Sequence, residues 1–89
     1  MTTLRLAYND GDKTVKGYEV REYTALRLIA HKALYASGWK ISEYTTGRLI
    51  CEDYYPTRKA AIAAAIAKIE EYTVPVALSC ITDYPVLNP

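Results

Sequence analysis

His31 is the only histidine in the chain, and general-base activation of a nucleophile would need it matched to a serine or cysteine in a recognisable motif. No serine or cysteine stands in such a motif, so the sequence places no triad and His31 reads as a satisfied or solvated side chain. Cys51, Cys80 and His31 are three isolated ligand types without the close paired spacing of a zinc site. Asp10 and Asp12 flank Gly11, but the further acidic positions and closing glutamate of a calcium loop are missing. Glu52-Asp53 and Glu70-Glu71 are sequence neighbours, and neighbours on a strand or helix point apart, so neither pair converges as acid and base. The expectation is a non-catalytic protein with no catalytic residue, metal or cofactor.

Recognition chemistry has more to work with. Nine tyrosines and one tryptophan stand against no phenylalanine, although a phenol is costly to bury and effective at an interface. Tyr44, Tyr54 and Tyr55, near Trp39, Arg48 and Arg58, form an aromatic and arginine set of the type enriched at binding hot spots. With Lys59 they are the candidate partner-binding residues; the competing reading is that several tyrosines simply fill the faces of a small sheet. Arg58 and Lys59 also fall in the first turn of a predicted helix and Glu70 and Glu71 in its last, the reverse of what the helix dipole favours. Each placement costs about 0.3 to 1 kcal/mol when exposed. Glu52 and Asp53 offer local neutralisation of the first pair. The sharper alternative is an anion site built from Thr57, Arg58, Lys59 and the free N–H groups of the first turn.

These residues must be held by a single core, because 89 residues are too few for two. A chain this short buries only about 60% of its unfolded surface, so association is a natural supplement to its stability. Eleven basic residues against ten acidic ones argue against a DNA mimic and against binding nucleic acid by bulk charge, while leaving room for a local basic patch. Two widely separated cysteines suggest reduced thiols. The N-terminal residues carry no apolar signal region, and no apolar run reaches the roughly 18 residues of a membrane helix, so a soluble, cytoplasmic protein is expected.

The elements read as α+β, a single domain over 1–89. Leu4, Leu6 and Tyr8 alternate with Thr3, Arg5 and Ala7, and Asn9-Asp10-Gly11-Asp12 supplies a turn to a return strand over 13–23. There Lys16, Tyr18, Val20 and Glu22 share one face, and Val15, Glu19, Arg21 and Tyr23 the other. Segment 25–36 is either helix or strand: Thr24 and Gly38 could cap a helix, or Ala36-Ser37-Gly38 could turn one strand into the next. Trp39 to Tyr44 and Arg48 to Cys51 form a second hairpin around Thr45-Thr46-Gly47. After Pro56, Thr57 caps one long helix over about 57–72, some 22 Å long, which packs on an antiparallel sheet built from the hairpins. In it Ile62, Ile66 and Ile69 are expected to face the sheet, with Ala61, Ala64, Ala65 and Lys68 on other sides. Val76 to Ile81 suggests a short edge strand in a proline-rich tail.

The run Gly38-Trp39-Lys40-Ile41-Ser42-Glu43-Tyr44-Thr45-Thr46-Gly47, followed by Pro56-Thr57-Arg58-Lys59-Ala60-Ala61, resembles small α+β proteins encoded by phages and mobile elements. That group includes anti-CRISPR and other anti-defence inhibitors, and the resemblance implies stoichiometric inhibition by occupying a surface of a host complex. It covers about half the chain, and the group shares no common motif from which a functional residue could be carried over. A host protein complex is thus the first expected partner. A second copy of the chain docking through the alanine-rich helix, and a nucleic acid contacted by Arg48, Arg58, Lys59 and neighbouring tyrosines, are the alternatives.

Overall fold

Alternation of apolar and polar residues marks the first strand, in which buried Leu4 and Leu6 alternate with exposed Thr3 and Arg5. The computed structural model describes residues 1–7, 13–34, 36–50, 54–72 and 85–88. Strands β1 (Thr2–Leu6), β2 (Lys13–Glu19), β3 (Leu28–Lys32) and β4 (Trp39–Glu43) precede one helix, α1 (Arg58–Tyr72). The strands form one antiparallel sheet in the spatial order β1-β2-β3-β4, so every neighbour in space is a neighbour in sequence. The expected turn at Asn9 to Asp12, Cys51, Glu52, Asp53, Cys80 and the suggested strand at Val76 to Ile81 lie outside the described residues.

Residues paired across strands share a face, which divides the sheet cleanly. Tyr18 pairs with Ala30 and Ala30 with Ile41, placing them on the side that carries α1. There Val20, Leu26, Leu28, Ala30 and Ile41 pack with Ala61, Ala65 and Ile69 of the helix. On the opposite side Leu4, Leu6 and Ile29 form a second cluster, joined by Val15 and Tyr44. Between these clusters β3 is buried on both sides, from Leu28 through His31. Such a strand reads as a continuous apolar run, which is why segment 25–36 fits a helix nearly as well in sequence. Gly38 is a turn residue, not a helix terminus: its φ of 112° suits the β3–β4 connection, where the Ala33 N–H donates to the Gly38 carbonyl at 3.0 Å.

The helix begins where Thr57 caps it. Thr57 Oγ1 accepts the Ala60 N–H and its carbonyl accepts the Ala61 N–H, both at 3.1 Å. Its buried stripe corrects the sequence expectation. Ala61 and Ala65 are completely buried and Ile69 nearly so, a spacing of four that defines one line along the helix, while Ile62 and Ala64 flank it and Ile66 is half-buried. Methyl side chains at the contact let the helix axis sit close to the sheet, so alanine here is core material and not an inert outer coat. Packing is chiefly against β4 and β3.

After β4 the chain turns back beside it, as expected for the second hairpin. The Glu43 N–H donates to the Arg48 carbonyl at 2.8 Å and the Ile50 N–H to the Ile41 carbonyl at 2.9 Å, and Trp39 bridges Tyr55. Glu43 holds the turn itself, its carboxylate accepting the backbone N–H groups of Thr45 and Thr46. This turn reaches the outer edge of β1: the Ala7 N–H donates to the Gly47 carbonyl at 2.9 Å. Gly47 has φ 68°, and a Cβ there would run into the Arg5 carbonyl, so both backbone and space require glycine.

Asn88 locks this closure. Its Oδ1 accepts the Arg5 N–H at 2.7 Å, while Nδ2 donates to the carbonyls of Arg5 at 2.9 Å and Tyr44 at 2.6 Å. The amide thus imitates a short strand on the free edge of β1 and ties it to the residue after β4. Asn88→Ala is expected to lower stability by about 1–3 kcal/mol, because it strands a largely buried set of backbone groups. A urea unfolding midpoint unchanged from the parent would contradict the role of this clamp.

Candidate functional site

Strand parity decides which of the predicted site residues can meet. Trp39 lies on the helix side of the sheet, and its backbone pairing with Tyr55 brings the chain entering α1 alongside β4. Arg58 consequently arrives above that face, its guanidinium carbon 4.0 Å from the Tyr18 ring centroid and 5.8 Å from that of Trp39. Lys32, paired across strands with Trp39, places Nζ 4.5 Å from the indole centroid. Tyr18 and Trp39 lie 6.1 Å apart with their planes tilted by 48°. Two cations therefore share one indole, and Tyr18, Lys32 and Arg58 are all exposed. Each cation over a ring stabilises by about 0.5–1 kcal/mol at such exposure, and it also fixes where the charge sits.

The predicted set is divided by this geometry. Trp39, Tyr55 and Arg58 come together, with Tyr55 half-buried against the helix-side cluster. Lys59 is exposed beside Arg58. Tyr44 does not join them, since it is an odd number of residues from Trp39 along the same strand direction and packs on the opposite side with Leu4, Leu6 and Ile29. Arg27 stacks on its ring at 3.7 Å. Arg48 is exposed beyond the far end of β4, where its carbonyl accepts the Glu43 N–H. Tyr54 is 54% exposed and lies under Nζ of Lys40, at 4.2 Å. Sequence reasoning missed Tyr18 and Lys32; the signal was present in the expected shared face of Lys16 and Tyr18, but the pairing to β3 was needed to place it.

An ion pair is formed on the opposite face of the sheet. Glu19 accepts from Thr2 Oγ1 at 2.6 Å and from Arg27 Nε and Nη2 at 3.0 and 2.9 Å, and Arg27 holds its carboxyl below the ordinary value against the opposing effect of burial. Thr57 Oγ1 is used as the helix cap, and the Arg58 guanidinium lies over the Tyr18 and Trp39 rings.

His31 is completely buried, as is Ser42. A carbonyl can only accept, so His31 Nδ1 carries the proton and donates to the Lys32 carbonyl at 3.0 Å. Nε2 is then the acceptor for the Ser42 hydroxyl at 2.7 Å. This is a neutral, fully satisfied imidazole inside the sheet.

The chain matches no protein-family model, no curated protein and no solved structure. Among the described residues, no helix is long and apolar enough to cross a membrane.

Burial pushes the His31 pKa below its ordinary 6.5, with the nearby Lys40 charge acting in the same direction and the Lys32 carbonyl opposing it. A group that prefers its neutral form when folded contributes stability that is fully present above the unfolded pKa and is lost as pH falls below about 6.5 toward the folded value. Urea unfolding across this range should therefore show stability declining on acidification, and His31→Gln should flatten the decline; an unaltered slope would contradict the assignment.

Proposed function

We propose that the chain is a non-catalytic protein-binding protein that acts by occupying a surface of its partner. The observation that carries this reading is the outward cluster of Tyr18, Lys32, Trp39 and Arg58, in which two aromatic rings fix two exposed cations. Tryptophan, tyrosine and arginine are the residues that most often dominate binding energy, and side chains already held in place lose less freedom on association. The solitary histidine, engaged at both ring nitrogens in the interior, supports the non-catalytic part of the reading.

The sequence resemblance to phage and mobile-element proteins adds a setting, namely inhibition of a host defence complex of the anti-CRISPR type by surface occlusion. Self-association through α1 has less to rest on, because Ala61 and Ala65 face the sheet and leave Ala63 and Ala67 as its exposed alanines.

Affinity purification from the source host with mass spectrometry tests the reading. The wild type is expected to recover a protein in near-stoichiometric yield, and Arg58→Glu to lose it while remaining cooperatively folded. Recovery of no protein in mild salt, or of the same protein with Arg58→Glu, would refute it.

A further inference from the structure

Helix α1 packs on β3 and β4, and the helix side of β1 and β2 carries exposed Thr3, Arg5, Thr14 and Lys16 next to the Tyr18–Trp39 cluster. The register deepens the charge. Gly17 and His31 are the last pair of the β2–β3 ladder, so Lys16 and Lys32 are the next residues along the two strands, and Lys32 pairs with Trp39. Arg58 is added to the same spot from the helix, since it and Lys32 lie over one indole. No carboxylate among the described residues pairs with Lys16, Lys32 or Arg58, and the Arg27–Glu19 ion pair lies on the opposite face. Lys32 and Arg58 thus share one indole, with Lys16 exposed on the same face of the sheet.

We propose that this face docks an acidic segment of the partner protein, with carboxylates received by Lys16, Lys32 and Arg58 around Tyr18 and Trp39. The proposal rests on the protein-binding reading and names the chemistry of what is bound. Charge complementarity supplies the anion, because a carboxylate neutralises cations gathered over one indole and can accept two parallel hydrogen bonds from one edge of a guanidinium. The rings favour a peptide over a nucleic acid: their faces carry Lys32 and Arg58, so they are not open platforms for stacked bases. The cations also gather at one spot instead of tracking along a groove as a phosphate backbone demands.

Trp39 is the only tryptophan, so its fluorescence reports this face alone. Titration with a deca-glutamate peptide should shift its emission saturably, more weakly as salt rises. The double variant Lys16→Glu with Lys32→Glu should weaken binding at least about tenfold, while Arg21→Glu, an exposed charge elsewhere, should leave it unchanged. Lys16→Glu alone should leave the urea midpoint of the free protein no lower than the parent's while weakening the peptide, which separates lost binding from lost folding. No saturable shift, equal losses in the Lys16/Lys32 and Arg21 variants, or tighter binding of an oligothymidylate of equal charge would overturn the proposal. If the peptide fails while a host protein is still recovered and lost with Arg58→Glu, the acidic occupant is wrong and the protein-binding reading stands.

Discussion

A helix is about 10 Å across and sheet strands lie about 4.8 Å apart, so one helix covers two strands and no more. That limit governs this molecule. Four strands and a single described helix leave the helix side of β1 and β2 for polar side chains, and the boundary between covered and uncovered sheet runs past Tyr18 and Trp39. Aromatic residues at such a boundary have one side in the core and the other outward. Trp39 uses its inner side against the helix cluster and its outer side to hold Lys32 and Arg58. The scaffold and the candidate surface are thus consequences of the same shortage of cover.

The opposite face solves its own exposure differently. The turn after β4 reaches across to β1, Asn88 bonds the free edge, and Leu4, Leu6 and Ile29 are enclosed beneath. His31 and Ser42 bring polar atoms into this interior, but each satisfies the other, so burial costs less than the residue types suggest. The reversed helix-end charges acquire a similar local account at one end. Arg58 works against the dipole by being in the first turn, and its guanidinium is stabilised by the two rings it covers.

Much of the architecture was legible because its causes are local. Leu4 and Leu6 alternate with exposed neighbours, Thr57 offers a cap three residues before the N–H it receives, and Thr45-Thr46-Gly47 has turn chemistry. What could not be read depends on pairing between distant segments. Leu28 to His31 is buried on both sides and so shows no alternation, leaving helix and strand equally plausible from composition. Ala61 and Ala65 were read as outward because isoleucine is the more apolar residue, whereas the space between helix and sheet admits a methyl group on that line. In the candidate cluster, Trp39 and Arg58 had been singled out by residue type, strand parity puts Tyr44 on the other face, and Tyr18 and Lys32 needed the register of β2, β3 and β4. The clamp at Asn88 has no sequence signature, since an asparagine near the C-terminus looks like any polar tail residue.

The central claim is that Trp39 sits at an outward surface dominated by positive charge. Collisional quenching of its fluorescence by iodide and by caesium at low ionic strength measures that field directly. Iodide should quench far more effectively than caesium, with the difference shrinking in Lys32→Glu and Arg58→Glu variants; equal quenching by the two ions, or stronger quenching by caesium, would contradict the account.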